Sequence, residues 1–277
     1  MSEHPIVVDR ITHVYPGGVQ ALKETSLNIR AGEVLGVVGQ NGSGKTTLVK
    51  HFNGLLRPTT GRLLIEGVDS RGKPMYELAR HVGYVFQNPN HQLFATSVKA
   101  ELAFGPSNLG LTPQQVEERV AEAAAFFDLT PLLERHPYRL AFPQRKLVGM
   151  ASIYAMGPDV FVLDEPTTGQ DHAGSRLVRR LVARLREQGK TIVIVSHDMA
   201  LIAEVADVVV ALWSAEVIAV GTPREIFAND SVMTRTKLSP PQITQFARRQ
   251  WPNDSQRLAL SVSEAAALLA AALIGNP

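Results

Sequence analysis

The chain has 277 residues, of which 45% are hydrophobic and 19% charged, with no cysteine and a formal net charge of +2. That is globular composition, enough for one large core plus an appendage, and it excludes disordered and collagen-like chains. The lack of cysteine removes disulfides, zinc-thiolate sites and thiol catalysis, and the weak, scattered charge excludes an electrostatic footprint for nucleic acid.

Residues 1–10 contain no basic segment followed by an apolar run, so no secretory signal is expected. The longest apolar stretch, 265–274, is about half of the ~20 residues a membrane-spanning helix needs. A cytoplasmic location is expected, with any membrane role exerted through a partner.

Along the chain, apolar runs bounded by turn residues recur at 6–8, 34–38, 63–65, 82–86, 160–163, 192–195 and 208–212. Those at 34–38, 160–163 and 192–195 are almost continuously apolar, which predicts strands buried on both faces. Helical stretches are predicted at 113–127, 144–156, 174–188 and 199–205. This alternation argues for an α/β core with a mainly parallel sheet. The runs near Ile6, Leu22, Leu27 and Leu63 lack intervening helices and predict an antiparallel β layer. From about residue 222, proline-marked turns and an Ala/Leu-rich end predict a small C-terminal helical appendage over 222–277.

Between the run at 34–38 and a helical stretch reaching Phe52 lies Gly39-Gln40-Asn41-Gly42-Ser43-Gly44-Lys45-Thr46-Thr47. Glycines permit a tight loop whose N–H groups point inward, and the following helix adds its N-terminal dipole. Lys45 is placed to reach the outer phosphates of a nucleotide, and Thr46 to ligate Mg²⁺. This is a P-loop. Further on, Asp164 and Glu165 follow the run at 160–163, at the carboxyl end of a strand where open α/β sheets place their ligands. Asp164 is a candidate to hold Mg²⁺ through water, and Glu165 to orient an attacking water. A third strand, 191–195, ends in Ser196-His197-Asp198, which puts an imidazole beside the same site.

In this order the residues resemble the nucleotide-binding domain of ABC transporters over roughly residues 5–225. The resemblance implies a P-loop NTPase fold over 1–221, with a helical signature subdomain at about 88–157, and ATP with Mg²⁺ as cofactors. It further implies that Tyr15 stacks on adenine, that Gln87 senses Mg²⁺ and the transmembrane partner, and that Asp171 lies in a loop crossing a dimer interface. The stretch Phe86-Gln87-Asn88-Pro89-Asn90-His91-Gln92-Leu93-Phe94, with Phe104-Gly105-Pro106-Ser107-Asn108-Leu109-Gly110-Leu111, is similar to the energy-coupling factor ATPases. These drive uptake of vitamins or of cobalt and nickel ions. Two such ATPase subunits sit at the cytoplasmic membrane face, under a transmembrane scaffold that carries a separate substrate-binding membrane protein. Coupling to the membrane is then expected between about residues 88 and 127.

One departure stands out. Where the family has a Leu-Ser-Gly-Gly-Gln signature, this chain reads Leu140-Ala141-Phe142-Pro143-Gln144. Ala141 lacks the serine hydroxyl, Pro143 lacks an N–H, and Phe142 puts a ring where glycine lets backbone approach phosphate. In an ABC dimer this segment serves the partner's P-loop, so an asymmetric heterodimer is expected, with a slowly turning homodimer as the alternative. A subunit that binds ATP for regulation with little hydrolysis disagrees with the retained Glu165 and His197. A P-loop kinase fits Asp164, Glu165 and His197 less well than attack by water does. A DNA-repair or chromosome ATPase lacks support from charge or from coiled-coil insertions.

Overall fold

The computed structural model describes residues 2–252 and 257–274. β1 (Ile6–Val14) and β2 (Gln20–Ile29) form an antiparallel pair. Alternate residues Ile6, Val8, Leu27 and Ile29 are buried, the period of two that a half-covered sheet requires. β3 (Val34–Gly39) is buried at every position, and α1 (Lys45–Phe52) follows its loop. β4 (Thr60–Ile65) pairs antiparallel with β1, and the short β5 (Val68–Asp69) with β4, completing a layer ordered β2-β1-β4-β5. The run expected at 6–8 is thus the start of a longer strand whose pairing is broken by register shifts beyond Val8.

After α2 (Met75–His81) and β6 (Val82–Val85) the chain leaves the sheet for three helices, α3 (Val98–Asn108), α4 (Pro113–Phe126) and α5 (Phe142–Met156), which pack on one another. The start of α4 is fixed by a capping box between Thr112 and Gln115, with Pro113 at the first helical position. β7 (Val160–Asp164), α6 (His172–Glu187), β8 (Thr191–Val195), α7 (Met199–Val205), β9 (Val208–Trp213) and β10 (Glu216–Gly221) complete a second sheet. Its order is β10-β9-β3-β8-β7-β6, parallel throughout except for the β9–β10 pair. The core is therefore α/β, with a mainly parallel sheet beside an antiparallel layer.

Two apolar clusters lie on the two faces of the parallel sheet. Ile6, Ile29, Leu48, Phe52 and Val193 fill the side toward the antiparallel layer, and Phe127, Met150, Leu163, Leu181 and Ile194 the other. α8 (Pro223–Ala228) and α9 (Asp230–Thr236) add Phe227 and Met233 to this second cluster. α10 (Gln242–Gln250) and α11 (Val262–Ile274) meet around a small separate cluster of Ala247, Ala259 and Ala265. Among the described residues no helix is long and apolar enough to cross a membrane.

Polar groups also enter the core behind α1. His51 is fully buried, and its Nδ1 donates to the Thr47 carbonyl at 2.7 Å, which leaves Nε2 to accept from His13 Nδ1 at 3.2 Å. Burial lowers the His51 imidazole to about 4. Between pH 6.5 and 4 the unfolded chain then takes up a proton that the folded chain refuses, so stability present above pH 6.5 is lost on acidification, up to ~3 kcal/mol. Urea midpoints at pH 7 and 4.5 are expected to show this loss, and His51→Gln to shrink it.

Candidate functional site

The loop between β3 and α1 is shaped by two glycines that no other residue replaces. Gly39 has φ 149°, and a Cβ there would run into the Leu212 carbonyl oxygen. Gly44 has φ 103°, and a Cβ would stand 2.5 Å from the Ala21 carbonyl oxygen. The loop is thus pressed between β9 and β2. Lys45 Nζ donates to the carbonyls of Gly39 and Gln40 at 2.7 and 2.8 Å, folding the side chain back over the loop. Burial lowers its ammonium from the usual range, while the charges of Glu165 and Asp164 oppose the drop. A cation so placed gains when a polyanion enters.

An open cavity of about 480 Å³ extends from this loop, lined by Tyr15, Gly42, Gly44, Lys45, Thr46, Gln87 and Glu165 among others. The Tyr15 hydroxyl is 3.1 Å from Thr47 Oγ1, and its ring meets that of His13 edge-on at 4.6 Å. The sequence-predicted Tyr15, P-loop, Gln87 and Glu165 therefore meet at one cavity, although Tyr15 and Gln87 lie far from the loop in the chain.

Asp164 ends β7 beside β8, where its register partner is Val195. Its Oδ2 accepts from the Tyr84 hydroxyl at 2.7 Å, while Oδ1 is buried with no partner. Burial pushes the carboxyl above the usual carboxylate range, the Tyr84 hydroxyl pulls it down, and the charge of Glu165 pushes it up again. A buried carboxylate oxygen without a partner, on a carboxyl that the Thr46 side chain helps to pull down, suits a cation bridged to phosphate. Among the described residues no cluster of three or more His, Asp or Glu is placed to hold a metal ion. A cation here would accordingly take most ligands from phosphate and water, as Mg²⁺ does.

Glu165 stands at φ 51°, a left-handed conformation uncommon for a side-chain-bearing residue, held by its N–H donating to the Val195 carbonyl at 2.8 Å. Its Oε2 lies 2.7 Å from His197 Nδ1 and 3.3 Å from Thr168 Oγ1. The His197 side chain is 66% exposed and that of Glu165 8%, so a solvent-facing imidazole caps a buried carboxylate.

Leu140–Gln144 is not part of this cavity. Leu140 is buried, Ala141 precedes α5, and Phe142 and Pro143 form its first turn, two residues before the helical start expected at 144. Gln144 Oε1 accepts from the Ala141 N–H at 3.2 Å, which is half of a capping box, since alanine has no side-chain acceptor. Asp171 caps α6 through the Gly174 N–H at 2.8 Å. Sequence reasoning missed three groups around Asp164 and Glu165: Tyr84, Thr168 and Lys146. Lys146 is 1% exposed, and its Nζ donates to the carbonyls of Glu165 and, at 3.0 Å, Thr168. Only Tyr84 left a signal, as a hydroxyl in a wholly apolar run that must find a buried partner.

A second, larger cavity of about 710 Å³ lies elsewhere, at α2, α3 and the β6 end. Met75, Tyr76, Phe94 and Phe104 on its wall are at least half exposed, and the Phe94 and Phe104 rings meet edge-on at 4.7 Å.

The sequence profile of the ABC transporter family matches residues 22–168. An ABC transporter ATP-binding protein of Caldanaerobacter subterraneus is 41% identical over 86% of this chain, which spans 42% of that longer protein. The energy-coupling factor transporter ATP-binding protein EcfA2 of Symbiobacterium thermophilum is 39% identical over 98% of both chains. Among solved structures, cbiO1 of Clostridium perfringens, described as part of the ABC transporter complex cbiONQ, superposes with a TM-score of 0.74 at 31% identity, over 92% of this chain and 98% of that one.

Proposed function

The chain belongs to the ABC transporter ATP-binding family, in its energy-coupling factor branch, and from that premise we propose that it binds and hydrolyses ATP to energise a membrane importer of a vitamin or transition-metal ion. The observation that carries the hydrolytic reading is the meeting of Lys45, Thr46 and Glu165 at one cavity, with His197 on the Glu165 carboxylate and a buried, unpartnered oxygen on the adjacent Asp164.

The P-loop amides and Lys45 bind the phosphates, with Tyr15 under the base. Thr46, Asp164 and Gln87 are the residues that would hold Mg²⁺, which when bound neutralises charge on the outer phosphate oxygens. Glu165 orients and deprotonates the attacking water. Its side-chain contacts given above all fall on Oε2, which leaves Oε1 to accept from that water. His197 holds the carboxylate in place and is exposed enough to reach the γ-phosphate.

A second ATPase subunit closes the site, because Leu140–Gln144 lies outside this chain's own cavity and serves a nucleotide on its partner. With Ala141, Phe142 and Pro143 in that segment, the pair is asymmetric. This chain's P-loop, completed by a partner with an intact signature, turns over, and the opposite site is slow. The subunit is peripheral, on the cytoplasmic face, where ATP is available.

The larger groove supports docking of the transmembrane scaffold, since it joins exposed Phe94 and Phe104 to Phe86, next to Gln87 of the ATP cavity. Burying such a patch on a membrane-protein helix offsets its exposure to water. Phe104→Glu is expected to abolish co-purification with the scaffold while moving the thermal midpoint little, because a half-exposed ring contributes little to folding. Retained assembly with this variant would count against docking here.

A further inference from the structure

Lys146 is one of the largest fully buried side chains of the protein and is charged. It sits one turn into α5, is not itself part of the cavity lining, and donates to two backbone carbonyls, those of Glu165, which lines the cavity, and Thr168. Two further contacts tie the same end of α5 to the same loop. Gln170 Nε2 donates to the Pro143 carbonyl at 3.0 Å, and the Phe142 ring is so close to Gly169 that a Cβ there would stand 2.9 Å from Cε1. The start of α5 thus grips the 165–170 turn at three points, and that turn begins at Glu165 with its left-handed backbone.

We infer that Lys146 is a positioning residue for Glu165, clamping the turn that carries the base to the start of α5, so that hydrolysis at this chain's own P-loop depends on a side chain that touches no nucleotide. The inference rests on the hydrolytic reading above. Moving a cation out of water is costly, and here two backbone carbonyls take up donors of the ammonium. Here burial lowers the ammonium to about 8, against the pull of Glu165 and Asp164. The clamp also gives the altered residues Phe142 and Pro143 a place in this chain, against its own 165–170 turn, that owes nothing to phosphate.

The test uses the full chain paired with a consensus-signature ATPase whose own catalytic carboxylate is replaced, so that only this chain's P-loop turns over. Lys146→Met fills the same volume without donors. It is expected to lower kcat at least ~10-fold, since a misplaced catalytic group loses rate steeply, with KM and the affinity for a fluorescent ATP analogue changed less than ~2-fold. In a Glu165→Gln background the same change is expected to lower kcat no further, because both act through one carboxylate. Should Lys146→Met not fold, Lys146→Gln, which keeps N–H donors without the charge, serves as the second variant with the same split in kcat and KM. A loss confined to affinity, or one that adds fully to Glu165→Gln, overturns the clamp. If Glu165→Gln itself leaves hydrolysis intact, the hydrolytic reading fails instead. If Glu165→Gln abolishes hydrolysis and Lys146→Met is silent, only the clamp fails.

Discussion

Glu165→Gln is expected to lower Mg²⁺-dependent ATP hydrolysis by about 10²–10⁴-fold, the usual contribution of a positioned general base. ATP affinity should stay the same or tighten. The reason is local. The carboxylate is buried beside Asp164, and an amide of the same shape keeps one acceptor for His197 while losing the charge that orients water. Because the change leaves Lys45 and the loop amides, the proposed phosphate grip, untouched, ATP is expected to remain bound and the proposed dimer to accumulate in a closed state. Turnover and nucleotide retention measured on the same preparation check both halves. Equal loss of binding and turnover would mean that Glu165 supports the loop rather than the chemistry.

The second large effect concerns the altered signature. Replacing Ala141, Phe142 and Pro143 with Ser, Gly and Gly is expected to raise hydrolysis by the chain alone by about 10²-fold or more, the scale of one preorganised donor to a charged transition state. The substitution returns a hydroxyl at the position before α5, an N–H at the position of Pro143, and removes a ring that now covers Gly169. Loss of Phe142 also loosens its packing on the 165–170 turn, so part of the gain is offset if the clamp described above contributes to Glu165 geometry. Steady-state ATPase rates of the two purified chains decide it.

Much of this was legible in the sequence because a buried parallel sheet and a phosphate loop both leave local signals. Continuous apolar runs marked β3, β7 and β8, and Asp164 and His197 followed from standing at the ends of β7 and β8, which are neighbours in the sheet. The order in which strands pair was not legible, since β6 and β3 lie three places apart while carrying similar apolar runs. Nor was Lys146. Its burial depends on where α5 crosses the Glu165 turn, a tertiary fact, and a lysine flanking an apolar helix face ordinarily reaches solvent. The early β layer was anticipated from close-spaced apolar runs, but the length of β1 was hidden because the polar Asp9 and Arg10 interrupt its alternation where the register shifts.

The most direct test of the account is Mg²⁺-dependent ATPase activity of this chain alone and mixed with a consensus-signature ATPase from the same source, each with and without Glu165→Gln. The account predicts that only the mixture turns over at an ordinary rate and that Glu165→Gln in this chain removes most of that rate. An isolated chain as active as the mixture, and equally sensitive to Glu165→Gln, would contradict the asymmetric pair and make Leu140–Gln144 a working signature in a homodimer.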